Sequence, residues 1–199
     1  MFKTIGFGIA AFAAFPLLAQ ATGPQGYAEP RGPTVKTAPD TPTPTADPAN
    51  IMNIELSSGG TVSLLLRPDK APLSVERLKT LAGRGFYNGL TFHRVIDGFM
   101  AQGGDPTGTG TSGSKLPDIP AEFSREPHVR GVCSMARTMD PNSANSQFFI
   151  CLDDATFLDK QYTVWGEVES GMEHVDALPK GEPPRDPGKI VKATVQRAS

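Results

Sequence analysis

The chain has 199 residues, with 21 acidic and 19 basic side chains and a formal net charge of −2 at pH 7. A charge this close to zero, with no basic run, gives no indication of nucleic-acid binding. Hydrophobic residues make up 38% of the sequence, and the part from residue 51 onward is long enough to enclose a single core.

The amino-terminal segment has the pattern of a secretory signal peptide. Lys3 is the only charged residue among the first 28, and residues 5–18 are almost wholly apolar. Ala-Gln-Ala at 19–21 gives the small-x-small cleavage pattern, so we predict a signal peptide over 1–21, cut after Ala21. A retained membrane anchor is the alternative, but the apolar run is short for a span of about 20 residues. We expect a periplasmic or secreted protein with no stable membrane insertion after cleavage.

Residues 22–50 differ sharply in composition from what precedes and follows them. Prolines recur among threonine, alanine and glycine with no apolar period. Such a segment cannot bury enough apolar surface to offset the entropy lost on ordering. We predict a disordered linker, partly of polyproline type, with partner binding through its prolines as the alternative.

Residues 51–199 are predicted to form one domain made mainly of short β-strands. Helices are expected from Pro72 to Gly83 or Gly85, and as a short segment from Met172. Two helices are too few for a parallel α/β sheet, so we predict an eight-stranded antiparallel closed barrel capped by two helices. The expected strands are 51–56, 61–66, 92–95, 98–102, 132–136, 147–152, 163–168 and 190–195.

The sequence FHRVIDGFMAQGGD, at 92–105, places one cation among many apolar residues. That cation, Arg94, is unlike an ordinary solvated surface charge. A guanidinium is planar, stays protonated and offers several directed N–H donors. At the rim of an apolar pocket, and outside any buried ion pair, Arg94 can recognise a carbonyl or polarise an amide.

Other motif matches fail on physical grounds. Residues 108–113 satisfy G-x-G-x-x-G, but that fingerprint requires a helix to follow, and Pro117 and Pro120 prevent one. Asp153-Asp154 and the three histidines have no metal-ligand spacing. We therefore predict no metal and no cofactor.

His93 could be considered as a general base for Ser134, Ser143 or Ser146. Strand alternation would put His93 and Arg94 on opposite faces, so the two could not serve one site. No G-x-S-x-G elbow is present either. The sequence favours a satisfied, packed histidine over acyl-transfer chemistry.

Three motifs in order resemble the cyclophilin family of peptidyl-prolyl isomerases. They are FHRVIDGFMAQGGD at 92–105, SMART followed by DPNSANSQFFI within 134–150, and FLDKQYTVWGEV at 157–168. GEPP at 181–184 points to the bacterial exported branch. The resemblance covers about 51–195 and implies an isomerase that rotates Xaa-Pro bonds without a cofactor. Its expected partners are proline-containing peptides and exported proteins that are folding, and its expected form is a monomer.

The resemblance also implies the site. Arg94 matches the family's principal catalytic residue. Phe157 stands where many eukaryotic members have Trp, and Tyr162 where they have His, so we expect weak sensitivity to cyclosporin. Arg137 replaces an Asn of many eukaryotic members. The expected substrate-binding residues are Phe99, Met100, Gln102, Ala136, Arg137, Thr138, Gln147, Phe149, Phe157, Leu158 and Tyr162.

The same resemblance bears on the two cysteines, Cys133 and Cys151. Phe149 lines the groove in the family, so by alternation Cys151 shares that face, whereas Met135 and Cys133 point into the core. Opposite faces give the wrong Cβ directions for a bridge, and we predict free thiols.

Elementary chemistry agrees with an isomerase. Rotation about a peptide bond faces a barrier of about 18–20 kcal/mol, because the C–N bond is partly double. Lowering it needs only a pocket for the ring and a donor that favours the twisted amide. Two other classes stay open: a proline-peptide binding module, and a structural envelope subunit whose functional part is the Pro-rich tether.

Overall fold

The computed structural model describes residues 47–196. The predicted signal peptide and nearly all of the predicted linker lie outside these residues, so both remain predictions. Pro48–Asn50 forms one 3-10 turn, and the Asp47 carboxylate accepts a hydrogen bond from the Ala49 amide at 2.9 Å.

Eight strands and two α-helices follow in the described part of the chain, as the sequence predicts. The bounds of most elements agree with the predicted ones to within one or two residues. The strands are β1 (Ile51–Leu56), β2 (Thr61–Leu66), β3 (Arg94–Ile96), β4 (Met100–Gly103), β5 (Val132–Met135), β6 (Phe148–Cys151), β7 (Val164–Ser170) and β8 (Ile190–Val195), and the helices are α1 (Pro72–Gly83) and α2 (Met172–Asp176).

All eight strands belong to one antiparallel sheet in the order β3-β4-β6-β5-β7-β2-β1-β8. The sheet curls into a half-barrel that stays open, so the prediction of a closed barrel is wrong. The free edge of β3 meets the chain between α2 and β8 at a single bridge, Val95 to Gly181. Proline has no N–H to donate to a ladder, which prevents this segment from closing the barrel as a further strand. Its prolines are Pro179, Pro183, Pro184 and Pro187.

The two faces of the sheet carry different layers. Residues directly opposite one another on neighbouring antiparallel strands project from the same face. On β3, β4, β6 and β5 one such row is Val95, Ala101, Ile150 and Cys133, and it belongs to the main core. The core is filled by large aromatic side chains, with the Phe148 ring meeting Tyr87 at 5.7 Å and Trp165 at 5.9 Å, both edge to face.

Helix α1 packs against β8 and β7. Its predicted apolar face is confirmed, because Val75, Leu78, Leu81 and Ala82 are all buried. Pro72 occupies its first turn, as predicted, and the first free amides are capped from a distant loop. The Glu122 carboxylate accepts hydrogen bonds from the Leu73 and Ser74 amides, each at 2.9 Å, which satisfies donors that the helix itself leaves open. None of the helices in residues 47–196 is long and apolar enough to cross a membrane.

Candidate active site

The outer face of the open half of the sheet brings the principal predicted residues together. Arg94 on β3 stands opposite Gln102 on β4, which stands opposite Phe149 on β6. Met100 lies two residues from Gln102 and so projects from the same face. Four residues predicted from two separate motifs thus share one surface, with the cation at the edge strand.

An apolar cluster, which we call the pocket, lies on this face and is distinct from the main core. Met100, Phe149 and Leu158 are at most 4% exposed, and Phe99 and Tyr162 pack against them as partly buried members of the same cluster. Sequence alone could not tell such residues from ordinary core. The structure separates the two sets because the sheet lies between them.

A polar row continues from the pocket towards the long loop before β5. The Gln102 side-chain amide donates to Gln147 Oε1 at 2.9 Å, and the Gln147 amide donates to the Ser112 carbonyl at 2.7 Å. These two bonds fix the orientation of both amides. Ala136, also predicted for the site, is buried in the pocket cluster, and its N–H donates to the Gln147 carbonyl at 3.0 Å.

Arg94 makes an ion pair that the sequence did not predict. Its Nε lies 2.5 Å from Oε2 of Glu182, with the Arg94 side chain 20% exposed and that of Glu182 52% exposed. The expected position at a pocket rim agrees with this exposure, and the pair is partly solvated rather than buried. In the sequence, GEPP at 181–184 served only as a family motif. No local pattern indicates that Glu182 bonds Arg94, which lies 88 positions earlier.

Arg137 packs against Tyr162, which belongs to the pocket cluster. The Arg137 guanidinium carbon lies 4.6 Å from the Tyr162 ring centroid, a cation–π contact. Arg137 Nη2 also donates to the Gln161 carbonyl at 2.9 Å, which holds the guanidinium over the ring. Burial raises the pKa of Tyr162, with the charges of Arg137 and Arg94 acting against it, so the phenol stays neutral.

Phe157 and Leu158 share a 3-10 turn, Thr156–Leu158, but face different surroundings. Leu158 is 4% exposed in the pocket, whereas Phe157 is 64% exposed. The Phe157 ring lies 5.4 Å from the Phe99 ring at a tilt of 37°, so both belong to the pocket's outer wall. Thr138 is exposed, and its hydroxyl bonds to Ser143 Oγ at 2.8 Å.

Behind the pocket lies a polar network that sequence reasoning missed. Ser134 Oγ is 2.9 Å from His128 Nε2, and His128 Nδ1 is 3.0 Å from Asp159 Oδ1. The order is that of a Ser-His-Asp triad, but Ser134 and His128 are both 0% exposed. No substrate can reach the hydroxyl, so the network supports the pocket wall. The available signal was that Ser134 lies within the second motif and Asp159 within the third.

His93 is 6% exposed and lies beside Gly110 of the long loop. The predicted packing of this histidine is confirmed, but neither ring nitrogen has a hydrogen-bond partner of ordinary geometry among the described residues, so the prediction that the ring is satisfied is wrong. The three serines considered for it have other partners: Ser134 has His128, Ser146 donates to the Gly104 carbonyl, and Ser143 donates to the Asp140 carbonyl. Acyl transfer through His93 has no support in this geometry.

The two cysteines lie on opposite faces of the sheet, as predicted. Cys133 belongs to the main core and Cys151 to the pocket cluster, and neither is bridged. Burial raises the pKa of both thiols, that of Cys151 to about 12. Within residues 47–196 no group of histidine, cysteine and carboxylate side chains is placed to hold a metal ion.

Comparison with known proteins agrees with this geometry. The family described as "Cyclophilin type peptidyl-prolyl cis-trans isomerase/CLD" matches residues 51–195. A probable peptidyl-prolyl cis-trans isomerase of Brucella suis is 51% identical over 167 residues, which cover 76% of this chain and 85% of that protein. A peptidyl-prolyl cis-trans isomerase-like 1 protein of Neurospora crassa is 42% identical, over 69% of this chain and 90% of its own.

Solved structures show the same fold. The cyclophilin AquaCyp293 from Hirschia baltica superposes with a TM-score of 0.70 at 32% identity, over 75% of each chain. A cyclophilin-type isomerase of Cryptosporidium parvum, crystallised in the presence of the dipeptide Ala-Pro, gives 0.68 at 28% identity, over 74% of this chain and 99% of that one.

The chain therefore belongs to the cyclophilin-type peptidyl-prolyl cis-trans isomerases. It is an enzyme of a class that needs no cofactor and that acts on proline-containing peptides.

Proposed function

We propose that Arg94 is the catalytic donor of this isomerase and that the pocket formed by Phe99, Met100, Phe149 and Leu158 holds the proline ring. The observation that supports this most is the placement of one guanidinium on the same sheet face as an apolar cluster separate from the core. Apolar contact for the proline ring beside a fixed cation is what rotation of an Xaa-Pro bond requires.

The chemistry follows from the electronic change during rotation. As the amide twists, the C–N bond loses its double-bond character and the prolyl nitrogen becomes pyramidal and basic. A charged donor that bonds this nitrogen, or the neighbouring carbonyl, stabilises the twisted state more than the planar one. The apolar surroundings strengthen that bond, because water competes less well there.

The backbone after β5 gives the substrate a place to pair. β5 ends at Met135, and the N–H and C=O of Arg137 bond to no other residue in the described range. An extended peptide could add to this backbone as a short strand, with its proline directed into the pocket. Gln102, already oriented by Gln147, is available to bind the peptide's main chain.

For the cellular role, we propose that the enzyme assists folding of proteins outside the cytoplasm and belongs to the bacterial exported branch. The support is the signal-peptide pattern at 1–21 and the GEPP motif at 181–184. Fractionation of cells that produce the tagged full-length protein would test this. The control is a variant changed at Lys3 and at the predicted cleavage site, Ala21. Recovery of the uncleaved protein in the cytoplasm would contradict the proposal.

The alternative is a module that binds proline peptides and turns them over only incidentally. The two functions are separated by exchange NMR on an Ala-Pro peptide with the purified protein. An isomerase at a low molar ratio broadens the cis and trans signals by accelerating their exchange. Binding without any gain in exchange rate would identify the module.

A further inference from the structure

The carboxylate of Glu182, which bonds Arg94, has no role in the function proposed above. Glu182 Oε2 lies 2.5 Å from Arg94 Nε. In a guanidinium the Nε, Cζ and two terminal nitrogens are coplanar, so a bond at Nε fixes the plane in which the two terminal NH2 groups lie. A carboxylate at Nε is therefore placed to control the direction of the groups that would meet the substrate.

The backbone holds Glu182 firmly in place. Its neighbour Gly181 exchanges two hydrogen bonds with Val95, the neighbour of Arg94: Gly181 N–H donates at 2.8 Å and Val95 N–H donates at 2.9 Å. The two ion-paired residues thus extend from adjacent positions of one bridge. Their separation is set by main-chain bonding rather than by a loose loop.

The composition of the GEPP segment suits this role. Gly181 has φ of +146°, and a Cβ there would lie 2.7 Å from Pro184 Cα, so only glycine fits. Pro184 is buried, and the fixed φ of proline leaves the backbone on this side few alternative conformations. Glycine allows the bridge, proline stiffens the chain, and the glutamate between them bonds the guanidinium.

We propose that Glu182 is a positioning residue for Arg94, which sets the plane of the guanidinium towards the twisting amide. The inference rests on the catalytic role proposed for Arg94. Glu182 itself does not contact the reacting atoms. A half-exposed ion pair contributes little to stability, so the effect of losing it should appear in turnover and not in folding.

The test compares three variants of the full mature chain by exchange NMR on an Ala-Pro peptide. Glu182→Ala removes the acceptor, and we expect kcat to fall roughly tenfold with KM within about twofold, because the plane loses its restraint while the pocket is intact. Glu182→Gln keeps an uncharged acceptor and should restore most of the loss. Asp186→Asn, which removes an exposed carboxylate from the same segment, should match the unmodified enzyme.

A direct reading of the contact comes from the Arg94 Nε–H signal in 15N-labelled protein. We expect that proton to exchange slowly with water in the unmodified enzyme and rapidly after Glu182→Ala, with an unchanged melting temperature. Unchanged or increased kcat in Glu182→Ala overturns the proposal, as does an equal loss in Asp186→Asn. If Arg94→Ala keeps full activity, the catalytic role proposed for Arg94 is wrong, and this result is distinct from those for Glu182.

Discussion

The rings of His128 and Phe149 lie nearly parallel, with 6.2 Å between their centroids and 20° between their planes. Phe149 faces the pocket, and His128 stands behind it, bonded to Ser134 and Asp159. The Tyr162 ring meets both Phe149, at 5.7 Å, and His128, at 6.5 Å, edge to face. The pocket wall therefore depends on an imidazole that is fixed on both of its nitrogens.

This arrangement predicts that stability falls in mildly acidic solution. Burial lowers the pKa of His128, with its hydrogen bond to Asp159 and the charge of Asp159 acting against it. Burial also lowers the pKa of His93, opposed by the charge of Asp105. The folded chain thus prefers both rings neutral, whereas the unfolded chain protonates them near the ordinary pKa of about 6.5.

The free energy of unfolding should therefore decrease as the pH falls through about 6.5, the ordinary pKa of histidine, and by at most about 1.4 kcal/mol per pH unit for each ring. It should level off once the pH is below the folded pKa values. Urea unfolding at a series of pH values measures this. His128→Asn should remove a large part of the slope, and an unchanged slope in that variant would show that His128 titrates normally.

Arg94→Ala should remove most of the isomerase activity, with a loss in kcat/KM on the order of a hundredfold, as for removal of one transition-state donor. The melting temperature should stay nearly constant, because the Arg94–Glu182 pair is partly exposed and worth about 0–1 kcal/mol. Arg94→Lys should also be poor, since an ammonium cannot reproduce the planar fork. A variant that unfolds, or one with full activity, means that the role is misassigned.

Both cysteines should be free thiols in the purified protein. Cys133 points into the main core and Cys151 into the pocket cluster, on opposite sides of the sheet, which gives the wrong Cβ directions for a bridge. Thiol counting after denaturation without reductant should find both. In the native state burial and raised pKa values should make the same thiols slow to react. Zero free thiols in the denatured monomer would contradict this prediction.

Cyclosporin should inhibit this enzyme weakly. In the family the Trp at the position of Phe157 provides an indole donor to the drug, and Phe157 has none. An unpaired buried acceptor costs about 1–3 kcal/mol, or roughly five- to 150-fold in affinity. Phe157 is 64% exposed beside Phe99, so there is room for Phe157→Trp, which should raise sensitivity with little change in turnover. Inhibition constants for both proteins decide this, and tight inhibition of the unmodified enzyme contradicts it.

The sequence by itself determined the elements, and its motifs supplied the residues that we propose for the site. Strand alternation around Arg94 and Phe149, and helical spacing from Val75 to Ala82, are local properties, because each side chain's direction follows from its position in a strand or helix. The motifs then predicted the groove residues, among which Thr138 is exposed and bonded to Ser143.

Only the tertiary structure decided which distant residues meet. Glu182 reaches Arg94 across 88 residues, Glu122 caps α1 across 48, and Asp159 reaches His128 across 31. It also decided that the sheet stays open, where a proline-rich segment meets β3 by a single bridge at Gly181. A local pattern records what each residue requires of its chain neighbours. It does not indicate where distant segments pack in the folded chain, and that packing places these carboxylates beside their partners.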